Sequence, residues 1–191
     1  CRQQLAQQLQ DELMTVYQAN QSNEYEVTAE AMGQRSLKNV CLAYLMTLNN
    51  QAMRDLAMAQ YQTAQNMTDQ IAALRALTHT ECAERDEVLV TFYEQWKDDA
   101  LVIDKWFIAQ ATAALADTPS RIRQLLEHEA FDIRVPNRVR ALIGAFSQSN
   151  PLGFHDASGD GYRILADTVM QLNTLNPQIA ARLSLPLIQW R

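Results

Sequence analysis

Glycine and proline are scarce in this sequence, since each occurs only five times in 191 residues. A β-sandwich needs turn residues between its many short strands, so this scarcity argues against such a fold. Leu, Ala, Gln and Met are abundant, and these residues have high helix propensity. The balance predicts an all-α protein, and the length is sufficient for one sizeable core.

Positive charge is also in short supply. The chain has 16 Lys and Arg against 22 Asp and Glu, which gives a formal net charge of −6. Non-specific binding to nucleic acids depends on basic residues that displace counterions from phosphates. No apolar run is long enough to cross a bilayer, and no signal peptide opens the chain. We therefore expect no nucleic-acid partner, no membrane association and a cytoplasmic location.

Cysteine is rare, and the three cysteines do not form pairs. Cys1, Cys41 and Cys82 are far apart, and none has the spacing of a metal-ligand pair. Free thiols in a reducing compartment are expected rather than a disulfide framework. Because the chain begins with Cys rather than Met, we also expect it to be a fragment of a larger multidomain protein.

The sequence does have apolar residues at helical spacing along almost its whole length. The clearest stripe is made by Leu37, Val40, Cys41, Tyr44, Leu45 and Leu48. Burying one such side chain contributes about 1.5–3 kcal/mol, so each stripe needs a packing partner. The helices are therefore expected to pack against one another rather than to stand alone.

The residues between the stripes predict short linkers, and the longest linker lies around residues 148–161. Thr118-Pro119 and Asn176-Pro177 are each typical of an N-cap followed by a first-turn proline. We predict about eleven antiparallel helices in a single domain over residues 1–191, stacked as an irregular superhelix of the armadillo or HEAT type. Because no strict repeat of about 34 or 40 residues is present, an irregular helical bundle stays open as the alternative.

Two stretches imitate metal sites without satisfying their requirements. His128 and the Glu after it begin like a zinc peptidase motif, but Asp132 stands where the second His is required. Asp156 to Asp167 imitates a calcium loop, but Ile164 occupies the ninth position and no Glu ends the stretch. No Ser/His/Asp or Cys/His constellation is evident either. We predict no metal ligands and no catalytic residues in this chain.

Three arginines, Arg134, Arg138 and Arg140, surround the start of a helix near Pro136. The predicted core positions of this helix are Val139, Leu142, Ile143 and Phe146. Arg140 lies to one side of this apolar stripe, and Gly144 follows one turn later on the same side. The bare backbone at Gly144 leaves room for a molecule to lie against the helix beside Arg140.

Arg182 occupies a similar position beside the apolar pair Ile179 and Leu183. Arginine suits a planar carboxylate because its guanidinium fork donates two parallel hydrogen bonds. Arg140 and Arg182 are therefore candidate binding residues. A solvated helix flank paired to nearby Asp or Glu stays open as the alternative for both.

Six stretches of the chain resemble the C-terminal helical domain of bacterial aminopeptidase N, a family of zinc-dependent alanyl aminopeptidases. The stretches follow the family order along nearly the whole chain, and "WKDDALVIDKWF" and "PNRVRALIGAF" are the most distinctive parts of them. The six are SLKNVCLAYL from Ser36, NMTDQIAAL from Asn66, FYEQWKDDALVIDKWFIAQA from Phe92, VPNRVRALIGAFSQSNP from Val135, GDGYRILAD from Gly159 and LNPQIAARLSLPL from Leu175.

The resemblance implies that catalysis and the enclosure of the substrate belong to different domains of one polypeptide. The family's zinc-binding His-Glu-x-x-His helix and its Gly-x-Met-Glu-Asn strand are absent here, so the zinc and the catalytic residues would lie upstream of Cys1. In the family, the helical domain closes over the catalytic domain and encloses an internal cavity. Positions matching Arg140 and Arg182 would face that cavity and attract the C-terminal carboxylate of a short peptide. The region Asn150–Gly161 would form cavity wall or domain contact.

The resemblance thus implies that this segment is the C-terminal domain of a zinc metallo-aminopeptidase, which removes N-terminal amino acids from peptides. This segment would wall the internal cavity and filter peptide access, and alone it would bind no zinc and cleave nothing. Its expected partners are the catalytic domain of the same polypeptide and short peptide substrates. The alternative function is a stand-alone helical-repeat scaffold whose concave face holds a protein partner.

Overall fold

The computed structural model describes residues 1–22 and 24–189, and most of them lie in helices. Helix makes up 75% of the structure, and the described residues contain no strand. The predicted all-α fold is confirmed. None of the helices in these ranges is both long enough and apolar enough to cross a membrane. The chain divides into two compact units, Cys1–Leu89 and Val90–Arg191, and the single domain over 1–191 stays a prediction.

In the first unit, α3 packs against both α2 and α5, and α4 packs against α5. The helices are α1 (Arg2–Gln8), α2 (Gln10–Ala19), α3 (Ala29–Leu45), α4 (Gln51–Thr63), α5 (Met67–Thr78) and the start of α6 (Glu84–Trp96), with a 3-10 turn at Met46–Leu48. The side chains of Thr28, Asn50 and Asn66 cap α3, α4 and α5, because each accepts a backbone N–H from three residues later.

The buried face of α3 differs in part from the predicted stripe. Cys41 and Leu45 are buried as predicted, but Leu37 and Val40 are 47% and 49% exposed. Lys38 occupies a buried position instead, because its ammonium group has a carboxylate partner on α5. The buried face of α3 therefore includes a charged residue and does not coincide with the face that apolar spacing alone predicts.

A buried polar network joins the helices of this unit. Lys38 Nζ lies 2.7 Å from Asp69 Oδ2, and Asn39 Nδ2 donates to Asp69 Oδ1 at 2.9 Å. Gln60 Nε2 donates to Asn39 Oδ1 at 2.8 Å, and the Tyr17 hydroxyl donates to Gln60 Oε1 at 2.9 Å. Since an unpaired polar group in a low-dielectric interior is unfavourable, these contacts fix how α2, α3, α4 and α5 pack together.

The second unit contains the helix with the three arginines and the helix that carries Arg182. Its elements are the rest of α6, α7 (Ala100–Ala111), α8 (Thr118–Leu126), α9 (Pro136–Val139), a π turn (Arg140–Gly144), α10 (Ala145–Ser149), α11 (Pro151–Phe154), α12 (Asp160–Leu175), α13 (Pro177–Leu183) and α14 (Leu185–Gln189). α7 packs against the π turn, and α12 packs against α13. The predicted core positions are confirmed, because Val139, Leu142, Ile143 and Phe146 are all fully buried.

One of the two predicted N-caps is confirmed. The side chain of Asn176 accepts the Ile179 N–H and caps α13. Thr118 is already the first residue of α8, so its prediction as the N-cap is wrong. Its hydroxyl instead donates to the Ala113 carbonyl at 2.6 Å, which ties the start of α8 to the preceding turn.

The long linker that we predicted over residues 148–161 is largely structured, and that prediction is wrong. α10 continues to Ser149, and α11 follows directly. Asn150 is buried between them, where its Oδ1 accepts the Gly153 N–H and its Nδ2 donates to the carbonyls of Ala111 and Ala113. One buried asparagine therefore supplies the hydrogen bonds that hold this segment against the end of α7.

The three cysteines are free thiols, as predicted. Cys1 is exposed, whereas Cys41 is buried in α3 and Cys82 is partly buried. Burial raises the pKa of both the Cys41 and the Cys82 thiol. Since the thiolate is the nucleophilic form, neither residue has the low-pKa environment of a reactive cysteine.

Candidate functional site

The structure brings the two candidate arginines to one groove, although they are 42 residues apart in sequence. The groove has a volume of about 330 Å³ and lies between the π turn with α10 on one side and α13 on the other. Its lining residues are Arg140, Gly144, Ala145, Gln148, Ser149, Ile179, Arg182 and Leu183. Cationic, small and aliphatic side chains therefore meet in one concave surface.

The first wall of the groove comes from the π turn. Ala145 N–H donates to the Arg140 carbonyl, five residues earlier. Ser147 Oγ donates to the carbonyls of Ile143 and Gly144 at 2.9 and 3.3 Å, so acceptors around the widened turn keep hydrogen-bond partners. Single π turns inside α-helices occur often at functional sites. This one presents Arg140 and Gly144 to the groove while its apolar residues face α7.

The second wall comes from α13. Asn176 caps this helix, and Pro177 opens it with a φ angle that suits the first turn. Ile179 and Leu183 are four residues apart, so they share a face, and Arg182 stands beside Leu183 at the groove. Leu183 is buried and Arg182 is exposed, so the apolar surface lies at the floor of the groove and the charge lies at its solvent-facing edge.

Neither groove arginine has a carboxylate partner among the residues that the structure describes. Arg140 is exposed, and its Nη1 donates to Asn137 Oδ1 at 3.0 Å. Arg182 makes no hydrogen bond or ion pair within the described ranges. Pairing to a local Asp or Glu is therefore not seen in this part of the chain, whereas a solvated helix flank stays open as the alternative for both arginines.

The other two arginines near the start of this helix have partners. Arg138 is buried, its Nη1 lies 2.6 Å from Asp104 Oδ1, and its guanidinium stacks over the Phe107 ring at 5.2 Å. Arg134 lies at the surface, 2.9 Å from Asp132. Arg138 thus packs the helix onto α7, Arg134 stabilises a turn, and only Arg140 of the three lines the groove.

A larger cavity of about 500 Å³ in the same unit offers a contrast. Arg123 and Arg134 both line it, but Arg123 pairs with Asp160 at 3.3 Å and Arg134 pairs with Asp132. Its positive charges are therefore already compensated. The smaller groove combines cations without carboxylate partners and apolar surface, and this combination makes it the candidate site.

The histidines lie at or just beyond helix ends and do not come together. His79 and His155 are the C-caps of α5 and α11, and His155 Nδ1 lies 2.6 Å from the Tyr162 hydroxyl. His128 Nδ1 accepts the Ala130 N–H at 3.1 Å. Within residues 1–22 and 24–189, no three His, Cys, Asp or Glu side chains are grouped to hold a metal ion. These residues do not fit a zinc site.

Sequence reasoning missed Gln148, Ser149 and Ala145 as lining residues of the groove. The residues Arg140, Gly144 and Gln148 follow one another at intervals of four, and this spacing was a usable signal for one shared face. The predicted linker that began at Gln148 hid the signal, because it ended the helix too early. The pairing of this face with α13 has no local signal in the sequence.

Known proteins resemble the chain over nearly its whole length. It is 42% identical over 185 residues to aminopeptidase N of Escherichia coli and 41% identical over 187 residues to aminopeptidase N of Haemophilus influenzae, which is 97% and 98% of this chain. It covers only 21% of each relative, so it spans about a fifth of their length. The matched part is C-terminal in these proteins.

A solved structure agrees with the sequence relatives. The crystal structure of Legionella pneumophila aminopeptidase A in complex with aspartic acid matches 97% of this chain and 23% of its own, at a TM-score of 0.87 and 31% identity. The resemblance to the C-terminal helical domain of aminopeptidase N is confirmed. The family model that matches residues 1–191 is described as "Domain of unknown function (DUF3458_C) ARM repeats", which agrees with the predicted armadillo-like architecture. The chain belongs to this family of ARM-repeat domains, which forms a C-terminal part of its aminopeptidase N relatives.

Proposed function

We propose that this chain is the C-terminal domain of a cytoplasmic zinc metallo-aminopeptidase, where it walls an internal cavity and filters the peptides that enter. The zinc and the residues that act on the scissile bond belong to other parts of the polypeptide. The domain's partners are the catalytic domain of the same chain and short peptide substrates. Alone, the domain cleaves nothing.

The proposal rests on one observation, the convergence of Arg140 and Arg182 on a groove of about 330 Å³. A peptide that presents its N-terminus to a catalytic centre carries a carboxylate at its other end. Two exposed guanidinium groups without carboxylate partners in the described ranges suit that terminal carboxylate, since each offers a planar set of donors.

The names of the relatives supply the reaction class. Two relatives are named aminopeptidase N, and the matched solved structure is an aminopeptidase A in complex with aspartic acid. An enzyme of this class acts at the N-terminus of a peptide, so a site for the C-terminus has to lie elsewhere. If the groove between the π turn and α13 faces the internal cavity, as we propose, it is suited to that role.

The test uses the full-length enzyme with matched peptide substrates, one series with a free C-terminal carboxylate and one amidated. Arg140→Ala and Arg182→Ala should each raise KM for the free-acid peptides by about 2- to 10-fold, because an exposed charge-assisted hydrogen bond is lost. KM for the amidated peptides should change little, and kcat for an aminoacyl amide should be unaffected.

Arg134→Ala is the matched control, because Arg134 is an exposed arginine of the same unit that pairs with Asp132 outside the groove. It should leave KM for both peptide series unchanged. If Arg140→Ala and Arg182→Ala change KM equally for free-acid and amidated peptides, the proposed binding of the terminal carboxylate is contradicted. An upstream reading frame that lacks a His-Glu-x-x-His motif would favour the stand-alone scaffold instead.

A further inference from the structure

We propose that the groove between the π turn and α13 is a selectivity subsite, which takes the aliphatic side chain of a peptide's C-terminal residue below the two arginines. The inference rests on the proposed function and extends it from the carboxylate to the side chain beside it. The occupant is therefore a peptide that ends in a residue such as leucine or valine.

The apolar surface of the groove is the first argument. Leu183 is buried, Ile179 and Ala145 are half-buried, and Gly144 adds no side chain at all. Ligand pockets range from about 300 to 1,000 Å³, so a volume of about 330 Å³ is at the small end of that range. The groove is suited to one residue with its terminal carboxylate rather than to several residues.

Gly144 determines how much room the groove has. A Cβ built at this position would meet the Arg140 Cβ at 3.7 Å and the Val139 carbonyl at 3.9 Å, both ordinary contacts. The backbone therefore does not require glycine here, and the φ angle of Gly144, −62°, is ordinary for any residue. Because Gly144 lines the groove, its absent side chain adds room beside Arg140, and this room is what the substrate side chain would fill.

The arrangement of charge restricts the terminal residue further. A peptide that ends in Lys or Arg would bring a cation towards Arg140 and Arg182. A peptide that ends in Asp would place its side-chain carboxylate over Ile179 and Leu183, which offer no hydrogen-bond donor, or in competition with the terminal carboxylate for the two arginines. An aliphatic residue packs on the apolar surface and leaves both arginines to the terminal carboxylate. The exposed side chains of Gln148 and Ser149 lie along the same groove and offer partners for the last peptide group.

The experiment measures kcat/KM of the full-length enzyme for Ala-Gly-Gly-Leu, Ala-Gly-Gly-Gly and Ala-Gly-Gly-Asp, each as the free acid and as the amide. The wild-type enzyme should prefer the Leu peptide over the Gly peptide by about 10-fold, as expected for an aliphatic side chain in an apolar pocket. Gly144→Leu fills the groove and should reduce this preference to about 2-fold or less.

Two further variants separate occlusion from damage to the fold. Gly144→Ala fits without displacing a neighbour and should lower the Leu preference only in part. Gly33→Leu is the matched control, because Gly33 lies in α3 with nothing within 4 Å of its Cβ position. This control should leave the preference of the wild-type enzyme intact.

The acid and amide series make the two proposals fail in different ways. If kcat/KM is higher for acids than for amides but equal for the Leu and Gly peptides, the aliphatic subsite is contradicted. The proposed role of the two arginines is then unaffected. If kcat/KM is equal for the acid and amide peptides, the carboxylate role of the arginines is contradicted. The subsite is then contradicted too, because it depends on that role. A Leu preference that Gly144→Leu leaves unchanged also overturns the subsite, because the selection then resides elsewhere.

Discussion

The Lys38 ammonium group lies 2.7 Å from the Asp69 carboxylate, and the two side chains are only 5% and 8% exposed. Asn39 and Asn66 donate to the same carboxylate, and Asn66 also caps α5 by accepting the Asp69 N–H. The ion pair therefore joins α3 to the first turn of α5. Removal of one partner would leave the other charge buried without compensation.

Lys38→Met should destabilise this part of the first unit by about 3–5 kcal/mol, the usual effect of breaking a buried ion pair. Hydrogen exchange of the full-length protein should show backbone amides of Met67–Thr78 losing roughly 100-fold or more in protection. The three tryptophans, Trp96, Trp106 and Trp190, all lie in the second half of the sequence. Their fluorescence is therefore a poor reporter of this change.

Lys97→Met is the matched control for the buried pair. Lys97 lies 2.8 Å from Glu94, but these side chains are 46% and 60% exposed. An exposed pair adds little to stability, so exchange in the neighbouring α6 should hardly change. Similar losses of protection in both variants would show that burial is not what gives the Lys38–Asp69 pair its importance.

The same network predicts a loss of stability in acid. Burial alone would raise the pKa of Asp69, but hydrogen bonds from Lys38, Asn66 and Asn39 outweigh burial and hold it below its usual value. A carboxyl group with a lowered pKa in the folded state stabilises the fold above its unfolded pKa of about 3.9. That contribution is lost as the pH falls from there through the folded pKa.

Protection factors of α5, corrected for the intrinsic exchange rate, should therefore fall in the wild-type protein as the pH drops below the unfolded pKa of about 3.9 and through the lowered folded pKa. Asp69→Asn lacks the titrating group, so its protection should be lower at neutral pH and should depend less on pH in the acid range. If the protection factors of the wild-type protein and of Asp69→Asn depend on pH in the same way, the acid transition cannot be assigned to Asp69.

Gly161 is a position where the fold tolerates no side chain. A Cβ there would lie 2.2 Å from the Phe154 carbonyl oxygen and 2.7 Å from the Phe154 Cα, and both are backbone atoms that cannot rotate away. Gly161→Ala must separate α11 from the start of α12 and should cost about 1–3 kcal/mol or more. Gly33→Ala, in open space on α3, should instead stabilise its helix by up to about 1 kcal/mol.

Thermal unfolding of the full-length variants, followed by circular dichroism, tests the contrast between these two glycines. Gly161→Ala should lower the first unfolding midpoint, whereas Gly33→Ala should leave it unchanged or raise it. Exchange in Asp160–Leu175 should increase in the first variant only. If both variants behave alike, the close approach of Phe154 to Gly161 has no energetic consequence.

Local signals in the sequence account for most of the fold that was predicted. The apolar spacing of Val139, Leu142, Ile143 and Phe146 correctly identifies a buried face, because helical periodicity is a property of neighbouring residues. The same holds for the cap at Asn176. Features that depend on residues far away in the sequence were missed, because no neighbouring residue signals them.

Lys38 is the clearest example of a feature without a local signal. Its burial depends on Asp69, 31 residues later, so apolar spacing alone placed Leu37 and Val40, and not Lys38, on the packed face. The π turn at Arg140–Gly144 was likewise invisible to an argument that assumed α-helical spacing. The candidate site was predicted in part, since both arginines flank apolar stripes, but their shared groove follows only from the packing of α13.

The exposure of Arg140 and Arg182 gives a last prediction, which concerns ionic strength. Attraction between exposed charges is screened over a Debye length of about 10 Å at 0.1 M salt and about 3 Å at 1 M salt. KM of the full-length enzyme for free-acid peptides should therefore rise several-fold between these concentrations, whereas KM for the matched amides should rise much less. The double variant Arg140→Ala/Arg182→Ala should remove this difference in salt sensitivity, because the attracting charges are gone. Arg134→Ala should preserve it, since Arg134 already pairs with Asp132. If the double variant keeps the salt dependence of the wild-type enzyme, the steering charges lie outside this groove.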